Sequence, residues 1–320
     1  MHLLDITYAT DSAPPAPSTQ PEHTSAYQIL DLHAPNKLSR ATPLMIFIHG
    51  GAWRSNKPSE FADLATRFAE SHNIGVAVVG YRMSTLITGS QETVAPLVHP
   101  VHARDVGAGV AWILSHFLED GADQECTEYL EVTLNEKSAA DKAVEVLKAW
   151  NPSNIFVVGH SCGAHTGSFL LIEPSFIHEP LEARLGHTLR HDTWLPRFKG
   201  YAGIEGIYDI PLLVRTYPAY KEWFIVAAFG HETDGGWSVG SATTHTPRIV
   251  GTQPYHLIVH STGDELVDVG QAKAWYDALR DAKVEGVEYV VDKMHSKHDD
   301  VLKDPVFFVT VSEWIQRLSR

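Results

Sequence analysis

Strands alternating with helices along 320 residues predict an α/β fold, a mostly parallel sheet with helices on both faces. Three observations carry that prediction. Short apolar runs without alternation recur, such as Leu44-Met45-Ile46-Phe47-Ile48, as in strands buried on both faces. Between them lie stretches with apolar residues at helical spacing. Hydrophobic residues make up 44% of the chain and charged residues 20%, which suits a packed core rather than disorder.

The elements follow in order. Pro14, Pro15, Pro17 and Pro21 lie in a stretch read as a loose arm over residues 1–26. Residues 27–320 read as one domain. Tyr27 to Leu32 is an early strand, and Leu44 to Ile48 a buried one. Phe61, Leu64, Ala65, Phe68 and Ala69 share a helical face, with Pro58 before them and Asn73 at the end. Ile74 to Gly80 is the next strand. Val106, Val110, Ile113, Leu114 and Phe117 mark a helix that opens near Pro100. Residues 119–137 are an acidic insertion, with Glu119, Asp120, Asp123, Glu125, Glu128, Glu131 and Glu136 unbalanced by any Lys or Arg before Lys137. Ser138 to Trp150 is helical. Asn154 to Val158 is a strand that leads into another helix over 164–172. Phe198 to Ile204 and Pro254 to His260 are strand candidates. Val269 to Ala282 is a helix, Val287 to Val291 a strand and Val306 to Leu318 a closing helix. Residues 205–250 break the rhythm. They concentrate aromatics, among them Tyr208, Tyr217, Tyr220, Trp223, Phe224, Phe229 and Trp237, and read as a cap over a site.

A formal net charge of −14 argues against nucleic acid or an anionic membrane as a partner. No apolar run approaches the roughly 18 residues of a membrane span. The start of the chain has neither a basic segment nor an apolar core, so no signal peptide is expected. Cys126 and Cys162 sit in the acidic insertion and in the motif described next, so a structural disulfide is not expected. That suits a reducing, cytoplasmic setting.

Gly159-His160-Ser161-Cys162-Gly163 fits G-x-S-x-G between a strand and a helix. Small flanking residues let the backbone turn sharply there and push Ser161 out above the sheet, which is a nucleophile elbow. Gly236-Trp237-Ser238-Val239-Gly240 fits the same pattern but follows no strand, so Ser238 reads as a surface-loop residue. A serine nucleophile needs a general base, and the base needs a carboxylate. In this fold the chain order is Ser, then Asp or Glu, then His. That order reduces the nineteen histidines to His295 and His298, both in the loop after the last strand. Asp264, just after the strand at 254–260, is the best acid. Asp268 and Glu265 are rivals whose ordinary reading is helix N-terminal charge, and Asp209 is a weaker alternative. His49-Gly50-Gly51-Ala52-Trp53 follows the buried strand at 44–48. The N–H groups of Gly50, Gly51 and Cys162 are candidates for holding an oxyanion. Cys162 itself stands one place past the apex of the turn. The H-x-x-H pairs at 99–102 and 295–298 lack H-E-x-x-H or a cysteine cluster, so no metal is expected. No phosphate-binding glycine motif occurs, and no cofactor is called for.

These segments resemble the kynurenine formamidases, a family of α/β hydrolases. His49-Gly50-Gly51-Ala52-Trp53 resembles their HGGxW motif, and Gly159 to Ala164 their elbow. Gly263-Asp264-Glu265-Leu266 and His298-Asp299-Asp300-Val301 resemble their acid and histidine segments. Glu205 to Asp209, Tyr217-Pro218 and Ala228-Phe229-Gly230 are similar to the fungal branch. The likeness covers most of the chain from about residue 43. The acidic insertion and the proline-rich start depart from it. The resemblance implies an α/β-hydrolase fold and His298 rather than His295 as the base. It also implies hydrolysis of N-formyl-L-kynurenine to L-kynurenine and formate, in tryptophan breakdown toward NAD. Trp53 and the cap aromatics, Tyr208 among them, are then candidates to pack on this small-molecule substrate. Arg54 and Arg82 are candidates, by position, for its carboxylate. A general carboxylesterase with the same triad is the rival reading. A non-catalytic binding protein on this scaffold is the third, and a homodimer is left open.

Overall fold

A computed structural model describes residues 1–8, 27–84, 97–118, 138–232, 235–245 and 254–320. Eight strands are present: β1 (His2–Thr7), β2 (Ile29–His33), β3 (Leu44–Ile48), β4 (Gly75–Val79), β5 (Ile155–His160), β6 (Phe198–Ile204), β7 (Tyr255–Val259) and β8 (Val287–Val290). They form one sheet in the order β1-β2-β4-β3-β5-β6-β7-β8. β1 and β2 pair antiparallel, as do β2 and β4, and every later pair is parallel.

The helices are α1 (Ala62–His72), α2 (Val101–Leu118), α3 (Ala139–Trp150), α4 (Cys162–Ile172), α5 (Ser175–Leu185), α6 (Ile210–Thr216), α7 (Val226–Phe229), α8 (Gly236–Val239), α9 (Val269–Asp281) and α10 (Pro305–Leu318). The strand sequences explain their two coats. In β3, Leu44, Ile46 and Ile48 face the core shared with α2, α3, α4, α5 and α9. Met45 and Phe47 face the core shared with α1 and α10. Successive side chains of a strand point to opposite faces, so a five-residue apolar run fills both cores. α4 is buried along all its residues, and its polar side chains, His165, Thr166 and Ser168, are each bonded to a backbone carbonyl.

The loose arm expected over residues 1–26 is corrected at its start. His2–Thr7 is an edge strand that places His2 opposite His33 and Thr7 opposite Ile29. Leu3 and Ile6 supply its buried face. A register shift between them, with Asp5 at φ 56°, breaks the alternation that would have marked it. Residues 9–26 and the acidic insertion at 119–137, with Cys126, lie outside the described residues.

β3 is flanked by β4 on one side and β5 on the other. The connection from β3 runs one way and the connection back to β5 runs the other. In open α/β sheets the crevice at such a reversal, beyond the carboxyl ends of the strands, is where ligands bind. The HGGAW loop leaves β3 there and the G-x-S-x-G turn leaves β5.

The interior also holds histidines in neutral form. Burial lowers His102 and His160 to about 3 and His49, His165 and His256 to about 4. Unfolded histidines take up protons below roughly 6.5. Between about pH 6.5 and 4 the unfolded chain therefore binds more protons than the folded one, and stability falls as pH falls. Thermal melts should show Tm dropping steeply across that window. Each such histidine adds up to about 1.4 kcal/mol per pH unit. A Tm that stays flat down to pH 4.5 contradicts this.

Candidate active site

Ser161 sits at the junction of β5 and α4 with φ 57° and ψ −123°. Such a conformation costs on the order of 1–3 kcal/mol and persists because the neighbours fix it. The Ser161 N–H donates to Ile204 O of β6 at 2.9 Å, and Ser161 O accepts from Ala164 at 3.1 Å. A Cβ on Gly163 would run into the backbone of Ile48, and one on Gly159 into the backbone of Gly163 and Ala164. Both glycines of the motif are thus required by close backbone approach. Cys162 is the first residue of α4, so its N–H has no acceptor within the helix and lies at the positive end of its dipole. The second G-x-S-x-G forms the single turn α8, with Ser238 exposed.

The chain leaves β3 through Gly51 at φ 113°, Ala52 at 53° and Trp53 at 56°. Three successive left-handed residues turn N–H groups into a concave face. The Trp53 ring anchors them. It is fully buried among His102, His165, Phe224 and Phe229. The Trp53 N–H donates to Cys162 Sγ at 3.3 Å, which ties this loop to the elbow. Burial pushes the Cys162 thiol up to about 11, so it stays protonated and inert. Gly51 and Ala52 line the cleft beside Ser161. Gly50 packs behind it, where a Cβ would stand 3.0 Å from Ser161 Cβ.

His298, in the loop after β8, is buried and lines the same cleft as Ser161. Its Nδ1 lies 2.8 Å from Asp264 Oδ2. A carboxylate only accepts, so the hydrogen is on Nδ1 and Nε2 is left free to take a proton. Asp264 Oδ1 accepts from the N–H groups of Leu266 and Val267, each at 2.8 Å. Burial opposes the charge on Asp264, but the bonds from His298 and its neighbours outweigh it and hold the carboxyl far below the usual range. The rivals have other partners. His295 is exposed and bonds Thr262 Oγ1 at 2.5 Å. Asp268 caps α9, Asp209 caps α6, and Glu265 accepts the His298 N–H at 3.1 Å.

The cleft measures about 370 Å³ and is walled by Ile207, Tyr220, Trp223, Phe224, Leu266 and Val267, with Arg54, Ser55, Asn56 and Asp299 at its polar margin. Three expected substrate contacts are corrected here. Trp53 is buried in the core beneath the loop. Tyr208 is fully buried and stacks on Trp275, with ring centroids 5.4 Å apart. Arg82 is held by Asp105, with its Nε and Nη2 each donating at 2.7 Å. Asp105 on α2 is itself buried, so Arg82 is spent on a structural ion pair. Arg82→Ala should lower stability by about 3 kcal/mol, because it leaves that carboxylate buried and unpaired, while leaving KM within about 2-fold. Denaturant melts and steady-state kinetics on one preparation check both halves. Arg54 alone of these candidates reaches the cleft, where its Nη1 donates to Trp223 O at 2.6 Å.

Among the described residues two groups have metal-like spacing: His160 with His298 and Asp299, and Glu205 with His260 and Asp264. In each, a histidine Nε2 faces a backbone carbonyl, His298 O at 3.1 Å or Val267 O at 2.9 Å. That nitrogen carries a hydrogen, and a ligating nitrogen must be bare. Also among the described residues, no helix is long and apolar enough to cross a membrane.

Known proteins share this arrangement of elements. The BD-FAE family matches residues 30–125. A kynurenine formamidase-like hydrolase, fscH, of Fusarium equiseti is 26% identical over 312 residues, covering 89% of this chain and 88% of that one. A kynurenine formamidase of Meyerozyma guilliermondii is 28% identical over 240 residues, covering 74% and 71%. A probable isoprenylcysteine alpha-carbonyl methylesterase, ICMEL1, of Oryza sativa subsp. japonica is 25% identical, covering 87% of this chain and 56% of that one. Esterase B from Lactobacillus rhamnosis superposes with a TM-score of 0.65 at 16% identity, covering 100% of this chain and 86% of its own. The fold is that of the α/β hydrolases, and the chain is similar to fungal kynurenine formamidases over most of its length. Its curated relatives are named as formamidases and methylesterases, and its structural neighbours as esterases.

Proposed function

We propose that this hydrolase cleaves N-formyl-L-kynurenine to L-kynurenine and formate, a step of tryptophan breakdown toward NAD, with Ser161, His298 and Asp264 as its catalytic triad. The observation that carries the reading is their convergence. Ser161 stands on the turn after β5, and His298 is oriented at 2.8 Å by Asp264. Serine and histidine line one cleft, and the curated relatives include formamidases.

The reaction follows from these positions. Ser161 Oγ attacks the formyl carbon while His298 Nε2 takes its proton. The resulting oxyanion is met by the N–H groups of Gly51 and Cys162, set by the loop and by the start of α4. Gly50 serves by letting the end of β3 close against the serine. His298 returns the proton to the departing aryl amine, the C–N bond breaks and a formyl-enzyme remains. Water, deprotonated by His298, then releases formate and restores the serine. Asp264 holds the imidazole and balances its charge throughout. Tyr220, Trp223 and Phe224 suit the aryl ring. Arg54 is the cation within reach of the substrate's carboxylate.

The test is the ratio of kcat/KM values on N-formyl-L-kynurenine, phenyl acetate and an S-prenylcysteine methyl ester. The formamide should be preferred by at least about 10-fold, a difference of one charge-assisted contact. Arg54→Ala should raise KM for the formamide by about 10-fold and leave phenyl acetate nearly unchanged. The methylesterase relative favours a second reading, a carboxylesterase of the same triad. Preference for either ester, with no formamide turnover, supports that reading and removes the first.

A further inference from the structure

Glu205 is fully buried one residue beyond the end of β6, beside the strand that carries the acid loop. Its backbone is left-handed at φ 49°, a cost of about 1 kcal/mol or more for a residue other than glycine. The Glu205 N–H donates to Val259 O at 3.0 Å. The side chain is thereby aimed along the ends of β6 and β7. Its Oε1 accepts from the Ser261 N–H at 2.8 Å. Its Oε2 receives no hydrogen bond from a donor. That atom lies 3.3 Å from His260 Nε2, and Asp264 Oδ2 lies 3.5 Å from the same nitrogen, with all three side chains at most 1% exposed.

The protons in this cluster can be assigned from its partners. His260 Nε2 faces Val267 O at 2.9 Å, and a carbonyl only accepts, so Nε2 bears its hydrogen. His260 Nδ1 is buried without a partner, so a second hydrogen there would be stranded and the ring is neutral. No cation therefore stands between Glu205 and Asp264, and two ionised carboxylates cannot share a dry site. Asp264 is the better-served anion, with two backbone N–H groups and His298 Nδ1. Glu205 has one backbone N–H and an idle oxygen. The shared proton belongs on Glu205 Oε2, facing Asp264.

We propose that Glu205 is a positioning residue for the triad reading above, a protonated acid whose O–H donates to Asp264 and steadies the carboxylate that holds His298. Burial, followed by the pull of Asp264, moves its carboxyl far above the ordinary range, in keeping with the geometry. The groups around it are Asp264, His260 and Glu265 from the loop after β7, His298 from the loop after β8, His160 at the end of β5 and Tyr208 at the start of the cap. Burial holds His160 and His260 neutral. The exchangeable proton thus lies between the two carboxyls.

The experiment compares wild type, E205L and E205Q by the pH profile of kcat/KM and by the infrared carbonyl band of a buried protonated carboxyl. E205L removes the donor and should lower kcat by about 10-fold or more, with KM within about 3-fold. It should also move the acid limb of the profile to higher pH, because Asp264 then attracts the imidazolium alone. E205Q keeps both contacts, with its NH2 replacing the O–H, and should recover most of the rate lost in E205L and restore the wild-type acid limb. The infrared band should be present in wild type and absent in E205Q. The proposal is overturned if E205Q moves the acid limb to lower pH, as loss of an ionised glutamate would, or if E205Q removes no band. Equal kcat in folded E205L and wild type also overturns it. S161A, assayed alongside, separates the two claims: full activity there sinks the triad reading whatever the band shows.

Discussion

Ser161→Ala is expected to lower kcat on N-formyl-L-kynurenine by at least about 10,000-fold, leaving the residual catalysis of binding and oxyanion contacts. Ser161 is the apex of the β5–α4 turn, held at φ 57° by bonds to β6 and α4, and alanine keeps the Cβ that this backbone already accommodates. The variant should therefore melt within a few degrees of wild type, since only a hydroxyl at the cleft is lost. A fluorophosphonate probe should label wild type at Ser161 and leave the variant unlabelled. Loss of less than about 10-fold would mean another nucleophile. The nearest rival, Cys162, is fully buried with its thiol pushed up to about 11, so such a result would require a different cleft.

His298→Ala should be nearly as severe, with loss of about 10,000-fold or more in kcat, whereas His295→Ala should stay within about 2-fold as an exposed substitution. The two histidines share one loop, and their surroundings differ. His298 is buried, with Nδ1 on Asp264 and its backbone N–H on Glu265. His295 points to solvent against Thr262. Comparable losses in both variants would show that the loop adopts another arrangement during turnover. Neither variant should change KM for a substrate held by Arg54 and the cap aromatics.

The strands and the sharp turns were the legible parts of the chain. Leu44–Ile48 and the first four residues of β5, Ile155 to Val158, are apolar throughout because both faces are buried, and Gly159 and Gly163 mark a turn where no Cβ fits. β1 was hidden because its bulge breaks the alternation and its partner begins more than twenty residues later. No helical face announced α5, which packs on α2 and carries Pro180 in its interior. Arg82 looked available because its partner, Asp105, is a helix residue 23 positions away. Trp53 looked like a cleft residue because the backbone reversal that buries it depends on the left-handed run through Gly51 and Ala52. Glu205 opens a segment similar to the fungal branch, but nothing in that segment marks it for a role in the site. Its significance comes from the pairing of β6 with β7, which sets it beside His260 and the acid loop.

The most direct test is formate release from N-formyl-L-kynurenine by purified wild-type protein, with Ser161→Ala measured in parallel. Wild type is expected to give stoichiometric formate and L-kynurenine, and the variant none above background. No formate from a folded wild-type protein that turns over aryl esters, or equal formate from both proteins, would contradict the proposed function.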